Sequence, residues 1–93
     1  MAYKNPRLKK LRSRIDSADI DILASLAKRM HVVRSIGAYK QSRKLRSLDK
    51  KRWSEVLKTR VKIGTTKRLS PGFVRSIFKL IHRESLAQQK RKV

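Results

Sequence analysis

The sequence predicts an all-α chain of three helices, one long and two shorter. Three observations carry that reading. A mainly apolar seam, with charged residues set into it, recurs at alternating steps of four and three from Leu8 to Lys40, the spacing of one helical face. Asn5–Pro6 and Ser70–Pro71 each pair a capping side chain with an imino acid suited to the first turn of a helix. No segment shows the period-two alternation of a half-buried strand.

The first helix starts at the Asn5 cap and is expected over 6–42. Its seam reads Leu8, Arg12, Ile15, Asp19, Ile22, Leu26, Arg29, Val33, Ile36 and Lys40. The apolar period lapses through Gln41, Ser42, Arg43 and Lys44 with neither Gly nor Pro, so a short basic loop follows. Ser47 or Asp49 can cap a second helix over about 48–63, carrying Leu48, Trp53, Val56, Leu57, Val61 and Ile63. Gly64 is placed to stop it in a left-handed turn, and Arg60 and Lys62 suit its negative end. The third helix is expected over 71–89, with Phe73, Val74, Ile77, Phe78, Leu80, Ile81 and Leu86 as its apolar face. A basic tail, 90–93, frays beyond it. With no internal repeat or low-complexity tract, residues 1–93 read as a single domain.

The long helix raises a problem of burial. About 35 residues at ~1.5 Å each span roughly 50 Å, more than two shorter helices of the same chain can cover. Something else has to bury half of it. The seam also holds three cations, Arg12, Arg29 and Lys40. Burying an unpaired cation costs several kcal/mol, so these positions call for an anion. Arg29 and Lys40 lie roughly 16 Å apart along the axis, close enough to grip the two ends of one small ligand. Arg12 is a further ~26 Å away. A two-fold partner crossing antiparallel near Leu23 would bring Arg12 of the partner subunit opposite the Arg29 to Lys40 interval, giving a homodimer with two shared pockets.

Composition narrows the chemistry. Lys and Arg total 27 against 6 Asp and Glu, a formal net charge of +21. Such a surface binds nucleic acid and other polyanions nonspecifically at low salt. A zinc-finger spacing, an aromatic platform or a recognition helix is missing, so no specific nucleic-acid partner is expected, although a basic nucleic-acid-binding or scaffold protein stays an alternative. The absence of cysteine excludes disulfides and thiolate catalysis, and His31 and His82 are too few for a metal centre, so no metal and no cofactor are expected. The N-terminus has no apolar run of signal-peptide type and no segment is apolar enough to span a membrane, which points to a soluble, cytoplasmic protein.

The shorter helices carry polar residues beside their apolar faces. Ile81, Ser85 and Gln89 form an i, i+4, i+8 row, and Asp49 and Arg52 are three apart in a first turn. Taken alone, the second pair is a surface ion pair of at most about 1 kcal/mol, and Ser85 and Gln89 belong to a fraying helix end. Taken together with the seam, they resemble a known family. LRSRID (Leu11 to Asp16), LASLAKRM with Arg29, IGAYK ending in Lys40, LDKKRW with Asp49 and Arg52, and IHRESLAQQ with Ser85 and Gln89 are similar in order and spacing to the all-α class of chorismate mutase. Seven residues, Arg12, Arg29, Lys40, Asp49, Arg52, Ser85 and Gln89, fall at substrate-holding positions of that family without an insertion.

The resemblance implies an intertwined homodimer of three-helix chains and the rearrangement of chorismate to prephenate, a step toward phenylalanine and tyrosine in the shikimate pathway. It implies that Arg29 and Arg12 of the partner subunit clamp the carboxylates of a dicarboxylate substrate, with Arg52 and Ser85 supporting that end. Lys40 and Gln89 point at the ether oxygen, Asp49 meets the ring hydroxyl, and Ile36 and Ile81 wall the ring. Lys40, Gln89, Arg29 and Arg52 are the implied catalytic set. Trp53 stands where some members carry a carboxylate, and is read as packing between helices. His82 is read as a packed or hydrogen-bonded histidine. The alternative on the same fold is a lyase removing pyruvate from isochorismate, which needs the same clamps.

Overall fold

A computed structural model describes residues 5–46 and 48–90. It contains α1 (Pro6–Ser42), α2 (Lys50–Thr66) and α3 (Pro71–Gln89), with no strand among the described residues. None of these helices is long and apolar enough to cross a membrane. The chain divides into two units, Met1–His31 and Val32–Val93, and α1 runs through the boundary.

Local chemistry accounts for the helix starts. Asn5 Oδ1 accepts the backbone N–H of Arg7 at 2.9 Å and of Leu8 at 3.1 Å, ahead of Pro6. Asp49 Oδ1 accepts from Arg52 N at 3.0 Å, so Asp49 is the cap of α2, and Ser47 lies outside the described residues. Ser70 Oγ accepts from Phe73 N at 3.3 Å, with Pro71 in the first turn of α3. Each cap satisfies N–H groups that the first helical turn leaves without a partner.

Two helices end by the same device. Leu45 N bonds Lys40 O at 2.7 Å and Lys44 N bonds Gln41 O at 3.2 Å, with Lys44 left-handed at φ 55°. Leu69 N bonds Gly64 O at 3.0 Å and Arg68 N bonds Thr65 O at 3.2 Å, with Arg68 at φ 62°. Both are Schellman closures, and both put a basic residue where glycine is usual.

The second helix departs from the sequence expectation at both ends. It starts at Lys50, leaving Leu48 outside, and continues to Thr66. Gly64 is therefore an interior helical residue without positive φ, and Arg68 makes the left-handed turn. Arg60 and Lys62 are not in the last turn, which has no basic residue. The reason lies across the hairpin. A Cβ at Gly64 would stand 2.6 Å from Val74 Cγ2, so the glycine serves the close approach of α3.

In the unit Val32–Val93, α2 and α3 pack as an antiparallel hairpin, with Gly64 against Val74 near the turn and Trp53 against His82 toward the other end. Val33, Val56 and Val74 are its buried apolar side chains. The unit Met1–His31 has only α1 as an element, and Leu11, Ile15, Ile20, Ile22 and Leu23 are exposed along it.

Candidate active site

In the second unit, polar side chains of α1 converge on the end of α3. Gly37 of α1 is buried against it: a Cβ there would meet Gln89 O and lie 2.6 Å from Gln89 Cα. Gln41 Nε2 donates to Gln89 O at 3.1 Å, and Arg34 Nη1 donates to Gln88 Oε1 at 3.2 Å. These contacts run from Arg34 to Gln41 on α1, about two helical turns, and tie down the last turn of α3, which carries Gln88 and Gln89. Ser85 is 5 % exposed. Gln89 is half-buried, and its Oε1 is buried with no hydrogen-bond partner among the described residues. An acceptor stranded in this way costs about 1–3 kcal/mol until a donor reaches it.

Lys40 follows Gly37 by one turn and is half-buried in the last turn of α1, where the helix dipole favours a cation. Its carbonyl anchors the closing bond from Leu45. Rigid backbone therefore surrounds both Lys40 and Gln89.

A second cluster sits between α2 and α3. Asp49 is engaged twice at the start of α2, its Oδ1 by Arg52 N and its carbonyl by Trp53 N at 2.9 Å. Behind it the first turn of α2 is Lys50, Lys51 and Arg52, with no acidic residue. Cations at the positive end of a helix repel it, so this end favours an anion. Trp53 lies face to face with His82, ring centroids 3.9 Å apart and planes inclined by 9°. The indole face is thus committed to a helix contact, as the packing reading expected. Ser85 Oγ donates to Ile81 O at 2.7 Å, so it can donate to a ligand only after rotating away from that carbonyl.

Of the residues singled out from sequence, Lys40, Asp49, Arg52, Ser85, Gln89, Ile36 and Ile81 lie in Val32–Val93, with Ile36 exposed and Ile81 half-buried. Arg12 and Arg29 lie in Met1–His31, the first exposed and the second half-buried on α1. Sequence reasoning missed Gly37 and Gln41 as supports of Gln89. A glycine inside a long helix costs about 1 kcal/mol relative to alanine, so Gly37 carried a detectable signal of close approach.

A comparison at the level of protein families matches residues 11–90 to chorismate mutase type II. The chain belongs to the type II chorismate mutase family. The matched span contains all seven polar residues named above, and the family's all-α architecture agrees with the three helices. No curated protein is a significant match to the chain.

Proposed function

We propose that this type II chorismate mutase family member converts chorismate to prephenate in a cationic pocket shared between two copies of the chain. The observation that carries the reading is the pinning of Gln89 by Gly37 and Gln41, one turn from Lys40, in a chain matched to the family over residues 11–90.

The reaction is a unimolecular rearrangement in which the ether C–O bond breaks as a C–C bond forms. No proton moves and no covalent intermediate forms, so nucleophile and general base are not required. The protein has to hold a flexible dicarboxylate in its compact conformer and to aim donors at the charge that develops on the ether oxygen. Lys40 supplies an ammonium and Gln89 its Nε2 amide at that oxygen. Arg29 and Arg12 of the partner subunit clamp the carboxylates. Arg52 supports the same end, joined by Ser85 once its hydroxyl leaves Ile81 O. Asp49 lies at the end that receives the ring hydroxyl, and Ile36 and Ile81 wall the ring.

Sharing between copies is supported by the surface the chain leaves open. Leu11, Ile15, Ile20, Ile22 and Leu23 stand exposed along the part of α1 that lies in Met1–His31. A lone helix with exposed aliphatic residues is marginal in water, and a second copy supplies Met1–His31 with the core it lacks.

The test is to incubate the purified protein with chorismate and follow loss of its ultraviolet absorbance, with prephenate as product. Loss at the uncatalysed rate would overturn the reading. Release of pyruvate from isochorismate instead would assign the lyase.

A further inference from the structure

The face-to-face contact of Trp53 with His82 takes no part in the chemistry above, yet it joins the two helices that border one end of the pocket. Trp53 directly follows Arg52 and lies one turn beyond Asp49. His82 directly follows Ile81 and precedes Ser85 by three residues. The contact therefore sits between the α2 turn that carries Arg52 and the α3 turn that carries Ile81 and Ser85.

The hairpin is held at two points of opposite character. Near its closed end Gly64 has no side chain, and Val74 packs directly on the backbone. Eleven residues earlier on α2, about 16 Å along the axis, two flat rings are interposed at 3.9 Å. Helix separation follows the side chains at the contact, so Gly64 admits a close approach of α3, whereas a stacked pair of rings takes up space between α2 and α3 at Trp53. Aromatic rings suit a spacer, because each has two side-chain torsions and a stacked pair has a fixed thickness.

We propose that the Trp53–His82 stack is a positioning pair that sets the distance between Arg52 and the Ile81–Ser85 turn, and so the width of the carboxylate end of the pocket. This rests on the mutase reading. Lys40 and Gln89 are secured elsewhere, by Gly37 and Gln41. Loss of the stack therefore weakens capture of the carboxylates, while Lys40 and Gln89 stay in place for the chemical step.

His82→Leu, which removes the flat ring, is expected to raise KM for chorismate about tenfold or more with kcat within about threefold. His82→Phe keeps a ring of similar thickness without imidazole nitrogens, and is expected to hold KM within about threefold. Trp53 is the only tryptophan, so near-ultraviolet circular dichroism reports the stack directly. The indole signal should collapse in His82→Leu and persist in His82→Phe. Far-ultraviolet spectra establish that each variant is folded, and His82→Met replaces His82→Leu should the latter not fold. An unchanged KM in the ring-less variant, or an equal rise in His82→Phe, overturns the proposal. Turnover by the wild type with either result sinks this inference alone, whereas a wild type without turnover sinks the mutase reading and this inference with it.

Discussion

Gly37→Ala tests how α1 holds Gln89, the amide proposed to act at the ether oxygen. The added methyl carbon would lie 2.6 Å from Gln89 Cα and closer still to Gln89 O. Non-bonded carbons settle near 3.5 Å or beyond, so the last turn of α3 has to retreat by about 1 Å. For stability the terms oppose each other. Alanine gains about 1 kcal/mol over glycine inside a helix, and overpacking costs about 1–3 kcal/mol. The net loss is then between roughly 0 and 2 kcal/mol, a fall in Tm of up to roughly 10 °C for a chain of this size. For activity nothing offsets the displacement. A donor moved by ~1 Å from a reacting atom costs about 100-fold, and with Gln89 in its proposed role at the ether oxygen the loss should fall on kcat. Chorismate consumption measures it, with Gly64→Ala as the counterpart. That methyl collides with Val74 Cγ2, also at 2.6 Å, but away from Gln89, so Tm should fall while kcat stays within about threefold. A Gly37→Ala protein with wild-type kcat, or a Gly64→Ala protein that loses as much, would refute the claim that Gly37 exists to place Gln89.

Other expectations follow from the same contacts. Lys44→Gly and Arg68→Gly relieve left-handed backbone at φ 55° and 62°, and each should stabilise by about 0.5–1 kcal/mol, read as a rise in thermal midpoint. Gln89→Glu replaces a donor by a group that donates only when protonated, so turnover should climb as pH falls through the carboxyl pKa; a flat pH–rate profile would contradict the role given to the amide. Mixing Arg12→Ala with Lys40→Ala chains rebuilds one intact pocket in each mixed dimer, and random pairing should restore about a quarter of wild-type activity. No recovery would count against a pocket shared between subunits. With a charge of +21 on each chain, and Lys50, Lys51 and Arg52 crowded at the positive end of α2, sulfate or phosphate should raise the melting temperature. Indifference to these anions would mean that repulsion does not limit stability.

Helix starts were readable because a cap is a local event. Asn5, Asp49 and Ser70 each bond backbone two or three residues away, and the bounds of α1 and α3 agree with the spacing of their apolar residues. Gly64 was misread because an isolated glycine has two uses, left-handed turning and close approach, and the choice depends on a methyl group of Val74 ten residues away across a turn. The end of α2 was misplaced for a related reason: Arg68 adopts the left-handed conformation that glycine would have advertised, as Lys44 does after α1.

The residue types able to hold a doubly negative substrate, and their order along three helices, were determined by the linear chain, because helical periodicity and capping act over a few residues. The support of Gln89 by Gly37 and Gln41, and the pairing of Trp53 with His82, were decided only in the folded state. Packing joins groups that are dozens of residues apart, and which side chains meet depends on how closely two backbones can approach, which no single segment encodes.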